Sequence, residues 1–169
     1  MTSPLRVCFV CMGNICRSPL AEGIFRQQVT AAGLADRFEI ESAGLGPWHV
    51  GDPPDSRARR VAAARGVVLA GQARQIRARD FGRLDVILAL DAEIYDDLRR
   101  LAPGEAERGR IRLLRDFDPQ ATGDKDVPDP YYGDLQGFEH VFTLVERSTR
   151  GLLAALTDGA RSRPEADAA

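Results

Sequence analysis

The hydrophobic residues of this chain fall into short continuous runs and into stripes with helical spacing. The runs at 7–10 and 84–90 are almost wholly apolar, as strands buried on both faces of a sheet are. The first helix would direct Leu20, Ile24, Phe25 and Val29 into the core. The pattern predicts strands at 7–10, 38–41, 84–90 and 110–114, helices at 18–33, 55–65, 92–101 and 137–156, and a loop with a helical turn at 74–81.

Strands that alternate with helices along the chain predict an α/β fold. We expect a single domain, residues 1–156, with a central four-stranded parallel sheet and helices on both faces. Ligands of such sheets bind outside the carboxyl ends of the strands. From residue 157 the chain becomes small, polar and charged, so a disordered tail is expected over 157–169.

Composition narrows the class of protein further. With 44% hydrophobic and 28% charged residues, the 169-residue chain is typical of soluble globular proteins. A net charge of -2 gives no bulk attraction to nucleic acid or to an anionic membrane, so neither is an expected partner. No apolar stretch is long enough to span a bilayer, and the run at 7–12 is too short for a signal peptide. A cytoplasmic location is expected, with export by a route that needs no signal peptide left open.

Three cysteines, Cys8, Cys11 and Cys16, lie within nine positions, which is not the spacing of a disulfide framework. Neither His49 nor His140 lies at a ligand spacing from them, so no metal site is expected. Cys8 lies in the middle of the first strand and is interpreted as a core residue. Cys16 has two open interpretations: a reversible disulfide with Cys11 under oxidation, or a packing role beneath the loop.

The stretch between the first strand and the first helix, residues 11–17, has the features of an anion site and is called the cysteine loop below. Ser18 suits the N-cap of the helix, and Pro19 suits its first turn. The backbone N–H groups of such a loop point one way and bind anions. Gly13 and Asn14 tolerate the left-handed backbone that this arrangement needs.

Cys11 and Arg17 give this anion site its chemistry. A cysteine that faces a helix N-terminus, N–H dipoles and an arginine is expected to exist largely as thiolate. The planar guanidinium of Arg17 can hold two phosphoryl oxygens at once. The Ser18 hydroxyl can donate to the Cys11 sulfur and stabilise it as a leaving group. These residues at this spacing predict a thiolate nucleophile directed at phosphorus.

The stretch 11–19, Cys-Met-Gly-Asn-Ile-Cys-Arg-Ser-Pro, resembles the signature loop of the low-molecular-weight protein tyrosine phosphatases. The stretch 129–133, Asp-Pro-Tyr-Tyr-Gly, resembles the general-acid loop of that family and is called the acid loop below. Spacing, order and length agree over residues 5–156. The resemblance implies the family's fold, proteins carrying phosphotyrosine as substrates, and inorganic phosphate or other oxyanions as ligands of the active site.

The resemblance also implies a two-step reaction through a phosphocysteine intermediate. Cys11 would be the nucleophile, Arg17 would bind phosphate, and Asp129 would act as general acid and then as general base. Ser18 would ease the departure of the thiolate in the second step. No metal or organic cofactor is expected, because the cysteine loop supplies the positive field that a metal ion supplies in other phosphoryl-transfer enzymes.

A general acid is required because a phenolate, with a pKa near 10, departs slowly unless it is protonated. Asp129 could supply that proton if phosphate charge and partial burial favour its protonated form. Asp124 and Asp126 lie nearby as rivals, and Asp-Pro is also an ordinary turn signal. Only the family pattern selects Asp129, because Pro-Tyr-Tyr follows it as in the family.

The resemblance places substrate-binding residues in three segments. Trp48, Tyr131 and Tyr132 would form aromatic walls that select a flat ring on a phosphate, and phosphoserine would be too short to reach the floor. His49 could tune substrate choice or be a solvated loop residue, and Trp48 could instead pack on the surface. Ser42 would support the loop by a hydrogen bond to its asparagine. The implied substrate-binding set is Met12, Gly13, Asn14, Ile15, Cys16, Trp48, His49, Tyr131 and Tyr132.

The chain departs from the family at two positions. Relatives often carry His-Gly where this chain has Arg65-Gly66 and a histidine where it has Gly71, and those histidines look structural. Their absence bears on the rigidity of the cysteine loop and not on the class of reaction. Phosphorylation of Tyr131 or Tyr132 is a separate hypothesis. The arginines between 57 and 83 are interpreted as a solvated helix face, with a docking surface as the alternative.

Three other functions fit parts of the sequence. Arsenate reductases of the same fold relay a disulfide through further cysteines, and this chain has none after Cys16. Protein arginine phosphatases of the family carry a threonine where this chain has Ile15, so Ile15 favours phosphotyrosine. A non-catalytic phosphotyrosine-binding module would typically lack Cys11 or Asp129, and both are present. The sequence therefore predicts a catalytic phosphotyrosine phosphatase.

Overall fold

The computed structural model describes residues 3–162. Its strands are β1 (Leu5–Cys11), β2 (Phe38–Gly44), β3 (Val86–Ala89) and β4 (Ile111–Leu113). Its α-helices are α1 (Arg17–Ala31), α2 (Ser56–Ala64), α3 (Ala92–Leu101), α4 (Glu105–Arg108) and α5 (Leu135–Ser162). Short 3₁₀ helices cover Ala35–Arg37, Ala78–Gly82 and Leu114–Phe117. The second of these is the helical turn predicted within 74–81.

The four strands form one parallel sheet in the order β2-β1-β3-β4. β1 pairs with β2 along its whole length, ending with Cys11 opposite Gly44, and pairs with β3 on its other side. The two inner strands, β1 and β3, are buried almost throughout. Their sequences therefore show continuous apolar runs and no alternation. The predicted α/β fold with a four-stranded parallel sheet is confirmed, and the carboxyl end of β1 lies inside the sheet, between two neighbours.

Helix α1 is held against the sheet by its apolar face. It contacts β1, β2 and α5, whereas α3 contacts β3 and β4. Phe25 of α1 meets Phe9 of β1 edge to face, with ring centroids 5.6 Å apart. This packing fixes the N-terminus of α1 beside the end of β1. All four residues predicted for the inner face of α1 are buried: Leu20, Ile24, Phe25 and Val29.

Two helices differ from the prediction. Helix α5 continues through Ser162, so the end predicted at 156 is wrong, and residues 157–162 are helix where a tail was expected. The Thr157 hydroxyl donates to the Leu153 carbonyl at 2.8 Å, so a polar residue is accommodated within the helix. The rest of the predicted tail, 163–169, lies outside the described residues. The single turn of α4 carries no apolar stripe, so periodicity does not predict it.

Candidate active site

The cysteine loop curls between the end of β1 and the start of α1. Its carbonyl oxygens bond to groups outside the loop: Leu45 N–H donates to the Cys11 carbonyl and Gly46 N–H to the Met12 carbonyl, both at 3.0 Å. Asp55 N–H donates to the Ile15 carbonyl at 2.8 Å. Because the peptide groups are planar and trans, the N–H group of each following residue points the opposite way, toward the inside of the loop. N–H groups that point into a loop in this way form the kind of cluster that binds anions in proteins.

Asn14 fixes the shape of the loop from within. It is buried and adopts the left-handed backbone that the sequence predicts, with a φ of 57°. Its side-chain nitrogen donates to Ser18 Oγ at 2.8 Å and to Ser42 Oγ at 3.0 Å, and its side-chain oxygen accepts from Arg74 N–H at 3.0 Å. Ser42 in turn donates to Glu22 at 2.7 Å. These bonds tie the loop to β2 and to the segment after α2.

Gly13 does not adopt the left-handed backbone that the sequence predicts. Its φ is not positive. A Cβ atom at this position would lie 2.9 Å from Cδ2 of His49, closer than real Cβ contacts come. A larger residue at position 13 would therefore require a shift of the His49 ring.

The Ser-Pro pattern predicts Ser18 as the N-cap of α1, and this prediction is wrong. The cap position is Cys16, and Ser18 lies inside the first turn with its hydroxyl 2.9 Å from Cys11 Sγ. Since Asn14 donates to the same hydroxyl oxygen, the Ser18 proton is available to the sulfur. The hydroxyl is therefore placed to donate to Cys11 Sγ and does not satisfy the helix end.

Arg17 is buried at the base of the loop, with 4% of its surface exposed. One terminal nitrogen, Nη1, donates to Asp91 Oδ2 at 2.6 Å and to the Val127 carbonyl at 2.9 Å. The other, Nη2, lies 3.7 Å from Asp129 Oδ2. Burial disfavours the charged form, but the neighbouring Cys11 and Asp91 outweigh it and raise the pKa of the guanidinium above its ordinary value. Arg17 is thus a fixed positive charge beside the thiol.

Asp91 is a site residue that the sequence analysis misses. It follows β3, next to β1 in the sheet, and its Oδ1 caps α3 by accepting from Ile94 N–H at 2.8 Å. Its other oxygen holds Arg17. A carboxylate directly after an inner strand of a parallel sheet is the signal that could have identified it.

Asp129 is the carboxylate that reaches the site from the acid loop. Its side chain is half exposed, and its Oδ1 accepts from Tyr131 N–H at 3.0 Å. The two rivals have other partners: Asp126 accepts from Ala92 N–H and Asp124 from Asp126 N–H, each at 2.8 Å. Of the three, Asp129 alone lines the cavity that contains Cys11.

That cavity, of about 270 Å³, has the cysteine loop as its floor and aromatic side chains around its mouth. The Tyr131 and Tyr132 rings meet edge to face with centroids 4.9 Å apart, and His49 lies 6.1 Å from Tyr131. Trp48 and Tyr132 are largely exposed, which leaves their faces free for a ligand. The complete lining is Cys11, Met12, Gly13, Ile15, Cys16, Arg17, Trp48, His49, Asp129, Tyr131 and Tyr132.

The remaining cysteines, Cys8 and Cys16, are both buried. All three cysteines are free thiols, and burial raises the pKa of the Cys8 and Cys16 thiols above the ordinary value. Cys8 lies in the core, as predicted. Cys16 is buried and also borders the cavity, so the packing role and the reversible disulfide with Cys11 both stay open.

The two positions where relatives carry histidine are filled differently. The Arg65 guanidinium lies over the Phe142 ring, 4.6 Å from its centroid. Gly71 has a φ of 88° and open space around it.

Within residues 3–162, no three His, Cys, Asp or Glu side chains are grouped so that they could hold a metal ion. In the same part of the chain, none of the helices combines the length and the apolar character needed to cross a bilayer.

The sequence of this chain is similar to those of known proteins. A sequence model described as low molecular weight phosphotyrosine protein phosphatase matches residues 6–162. A low molecular weight protein-tyrosine-phosphatase of Streptomyces coelicolor is 51% identical over 159 residues, which cover 94% of this chain and 97% of that protein.

Solved structures agree with the sequence match. A protein tyrosine phosphatase from Entamoeba histolytica, with Hepes in its active site, superposes with a TM-score of 0.88 at 34% identity, covering 92% of this chain and 99% of that one. Vibrio vulnificus Wzb, in complex with benzylphosphonate, gives a TM-score of 0.75 at 28% identity, covering 88% and 96%. The chain therefore belongs to the low molecular weight phosphotyrosine protein phosphatases, a family of hydrolases.

Proposed function

We propose that this protein hydrolyses phosphotyrosine in proteins through a phosphocysteine intermediate on Cys11. The observation that carries the proposal is the convergence of three groups on one cavity. Cys11 Sγ lies at the floor, with the Ser18 hydroxyl 2.9 Å away. The Arg17 guanidinium lies beside it and Asp129 stands at the side, with 3.7 Å between these two charges.

In the first step, the Cys11 thiolate attacks phosphorus and an S–P bond forms as the bond from phosphorus to the phenolic oxygen breaks. Arg17 and the N–H groups of the cysteine loop hold the equatorial oxygens, whose charge grows in the transition state. Protonated Asp129 gives its proton to the departing phenolic oxygen, which leaves as tyrosine.

In the second step, water attacks the phosphorus of phosphocysteine, and the Asp129 carboxylate takes a proton from that water. The S–P bond breaks, inorganic phosphate forms, and the electron pair returns to sulfur. The Ser18 hydroxyl donates to the regenerated thiolate and so lowers the barrier to its departure. Protons balance over the cycle, because Asp129 ends protonated as it began.

The shape of the cavity supports an aromatic phosphate as substrate. Trp48, Tyr131 and Tyr132 border the mouth, so a phenyl ring can pass between aromatic faces while its phosphate reaches the floor. The bound benzylphosphonate of the Vibrio vulnificus relative is a molecule of this shape. Ile15 is an apolar lining residue and favours phosphotyrosine over phosphoarginine. Inorganic phosphate and other oxyanions would bind to the same floor.

We assign this activity to protein phosphotyrosine signalling in the cytoplasm. Three free thiols suit a reducing compartment. The chain's own residues supply every group that the proposed steps use, so the reaction proceeds without a metal or organic cofactor.

The test is hydrolysis of matched phosphotyrosine, phosphoserine and phosphoarginine peptides, with wild type and Cys11→Ser, in the presence of a chelator. Phosphotyrosine turnover that survives chelation and disappears in the variant is the expected result. Turnover of phosphoarginine alone would overturn the substrate assignment and keep the chemistry. Binding of the phosphotyrosine peptide without turnover by wild type would overturn catalysis in favour of a binding module.

A further inference from the structure

Arg57, in the first turn of α2, connects the two loops of the site without lining the cavity itself. Its Nη1 donates to the Gly133 carbonyl at 2.9 Å, and its Nη2 donates to the Tyr131 carbonyl at 2.8 Å. Both carbonyls belong to the acid loop. Among residues 3–162, these are the hydrogen bonds that the acid-loop backbone receives from outside the loop.

The same guanidinium is anchored to the other loop through Asp55. The Asp55 carboxylate accepts from Arg57 Nε at 3.1 Å and from Nη2 at 3.0 Å. Asp55 N–H donates to the Ile15 carbonyl of the cysteine loop at 2.8 Å. Burial alone would raise the pKa of Asp55, but its hydrogen bonds from Arg57 outweigh burial and hold that pKa below its ordinary value. The pair is therefore ionised at neutral pH.

Aromatic contacts fix the orientation of the Arg57 side chain. Its guanidinium carbon lies 4.6 Å from the centroid of the buried Phe138 ring and 5.8 Å from that of Tyr131. A planar fork held between a ring and a carboxylate presents its remaining N–H groups in one direction, toward the acid loop. An ammonium group at this position could not make all of these bonds at once.

We propose that Arg57 is a positioning residue that sets the height of the acid loop over the cysteine loop, and hence the efficiency with which Asp129 protonates the leaving group. A chain of hydrogen bonds connects the two loops. Asp55 N–H donates to the Ile15 carbonyl, and the Asp55 carboxylate accepts from Arg57. Arg57 donates to the Tyr131 carbonyl, and Tyr131 N–H donates to Asp129 at 3.0 Å. General acid catalysis depends steeply on donor position, so a loosened loop loses the proton transfer first. This inference rests on the proposed phosphatase reaction.

The experiment compares 4-nitrophenyl phosphate, which has a good leaving group, with phenyl phosphate, whose phenolate is a much stronger base. Arg57→Ala should lower kcat/KM, which reports the first step and not the hydrolysis of phosphocysteine, by about tenfold or more on phenyl phosphate and by less than about twofold on 4-nitrophenyl phosphate. Arg57→Lys, which keeps the charge and loses the fork, should show the same selectivity at smaller size. Arg59→Ala, at an exposed position of the same helix, is the matched control and should behave as wild type.

A double-mutant cycle with Asp129→Asn gives a readout that a purely structural role would not move. In the Asp129→Asn background, Arg57→Ala should change kcat/KM on either substrate by less than about twofold, because no proton transfer from Asp129 to the leaving group is left to misplace. Equal losses on both substrates, or the same loss with and without the Asp129 carboxyl, would overturn the inference. If wild type hydrolyses neither substrate in a Cys11-dependent way, the proposed function itself fails, so the two failures are distinguishable.

Discussion

Arg17 Nη1 lies 2.6 Å from Asp91 Oδ2, and only 5% of the Arg17 side chain is exposed. The carboxylate comes from the end of β3 and the guanidinium from the start of α1, so the pair joins two elements across the carboxyl edge of the sheet. Half of the guanidinium fork is occupied by this pair and by the Val127 carbonyl. The other half lines the cavity, where we expect an oxyanion to bind.

Loss of the Asp91 charge should therefore weaken both phosphate binding and folding. In Asp91→Asn the side-chain oxygen can still cap α3, since Asn caps as well as Asp, but Arg17 loses its anionic partner. We expect kcat/KM for aryl phosphates to fall by about tenfold or more, and the free energy of unfolding to fall by about 3 kcal/mol. Steady-state kinetics and urea unfolding measure the two effects. Asp96→Asn, at an exposed position of α3, is the control, and an unchanged kcat/KM in Asp91→Asn would contradict the role assigned to the pair.

Arg17 could be predicted from the sequence but its partner Asp91 could not, because Arg17 belongs to a local motif whereas Asp91 is distant along the chain. Arg17 belongs to a local pattern, the stretch of loop residues that follows an apolar strand. Asp91 lies 74 positions away, and it becomes a neighbour only because β3 pairs with β1. Periodicity predicts that both strands exist in one parallel sheet, and it does not determine which strands are adjacent.

Ser18 and Arg57 show a second limit, which is that one side chain can satisfy several patterns. The sequence predicts two roles for Ser18, a helix cap and a hydrogen bond to the Cys11 sulfur, and the structure has the contact with sulfur without the cap. Arg57 fits a solvated arginine-rich helix face, yet it bonds to the backbone of the acid loop. In both cases a partner outside the helix competes with the local preference and wins, because a buried or charge-assisted hydrogen bond is worth more than an exposed one.

Removal of the Ser18 hydroxyl should slow the second chemical step more than the first. In Ser18→Ala the sulfur loses its only side-chain donor among the described residues, so the thiolate becomes a poorer leaving group from phosphocysteine. We expect kcat to fall by about 10- to 100-fold, the range of one charge-assisted hydrogen bond. Rapid-mixing measurements should then show a burst of phenol equal to the enzyme concentration, followed by a slow steady state.

The control for that measurement is Ser42→Ala. It removes a hydrogen bond to the same Asn14 side chain but leaves the Ser18 hydroxyl beside the sulfur. It should lower kcat less than Ser18→Ala and give no burst. A burst of equal size in both variants would show that loop rigidity, and not the hydrogen bond to sulfur, controls the second step.

Asp118 should make stability depend on pH in the acid range. Its side chain is fully buried and accepts from Arg147 at 2.7 and 2.9 Å, with Arg115 also in contact. Burial alone would raise the pKa of Asp118, but the hydrogen bonds from Arg147 and from Gln120 N–H outweigh burial and lower that pKa. Because the folded-state pKa lies below the unfolded value near 3.9, this stabilisation is complete well above that value and is lost as pH falls through the folded-state pKa.

The measurement for Asp118 is urea unfolding of wild type and Asp118→Asn at pH 7 and near pH 3. At pH 7 the variant should be less stable by about 3 kcal/mol, because two arginines lose a buried partner. The difference should shrink near pH 3, because the unfolded wild-type chain then binds a proton on this carboxyl and the stabilisation by the charged pair is reduced. Asp116→Asn removes a partly exposed pair with Lys125 and should change stability by about 1 kcal/mol or less. A difference for Asp118→Asn that stays constant with pH would contradict the assigned ionisation.

Gly44 should prove as important for phosphate binding as residues of the cysteine loop itself, although it lies on β2. It pairs with Cys11 in the sheet, and a Cβ atom at this position would lie 2.9 Å from the Met12 carbonyl oxygen and 3.1 Å from Asn14 N. Both are backbone atoms of the loop, so the clash cannot be relieved by moving a flexible side chain. Gly44→Ala should therefore displace the loop N–H groups from their positions around the anion.

We expect Gly44→Ala to raise the inhibition constant for inorganic phosphate and to lower kcat/KM for aryl phosphates, each by about tenfold or more. Gly82→Ala is the matched control, because a Cβ atom there would meet open space and no positive φ is required. Phosphate inhibition is the more telling of the two measurements, since it reports on the anion site without any chemical step. If Gly44→Ala binds phosphate as wild type does, the loop can shift on its strand without losing its donors, and the rigidity argued from Asn14 and its hydrogen bonds would be wrong.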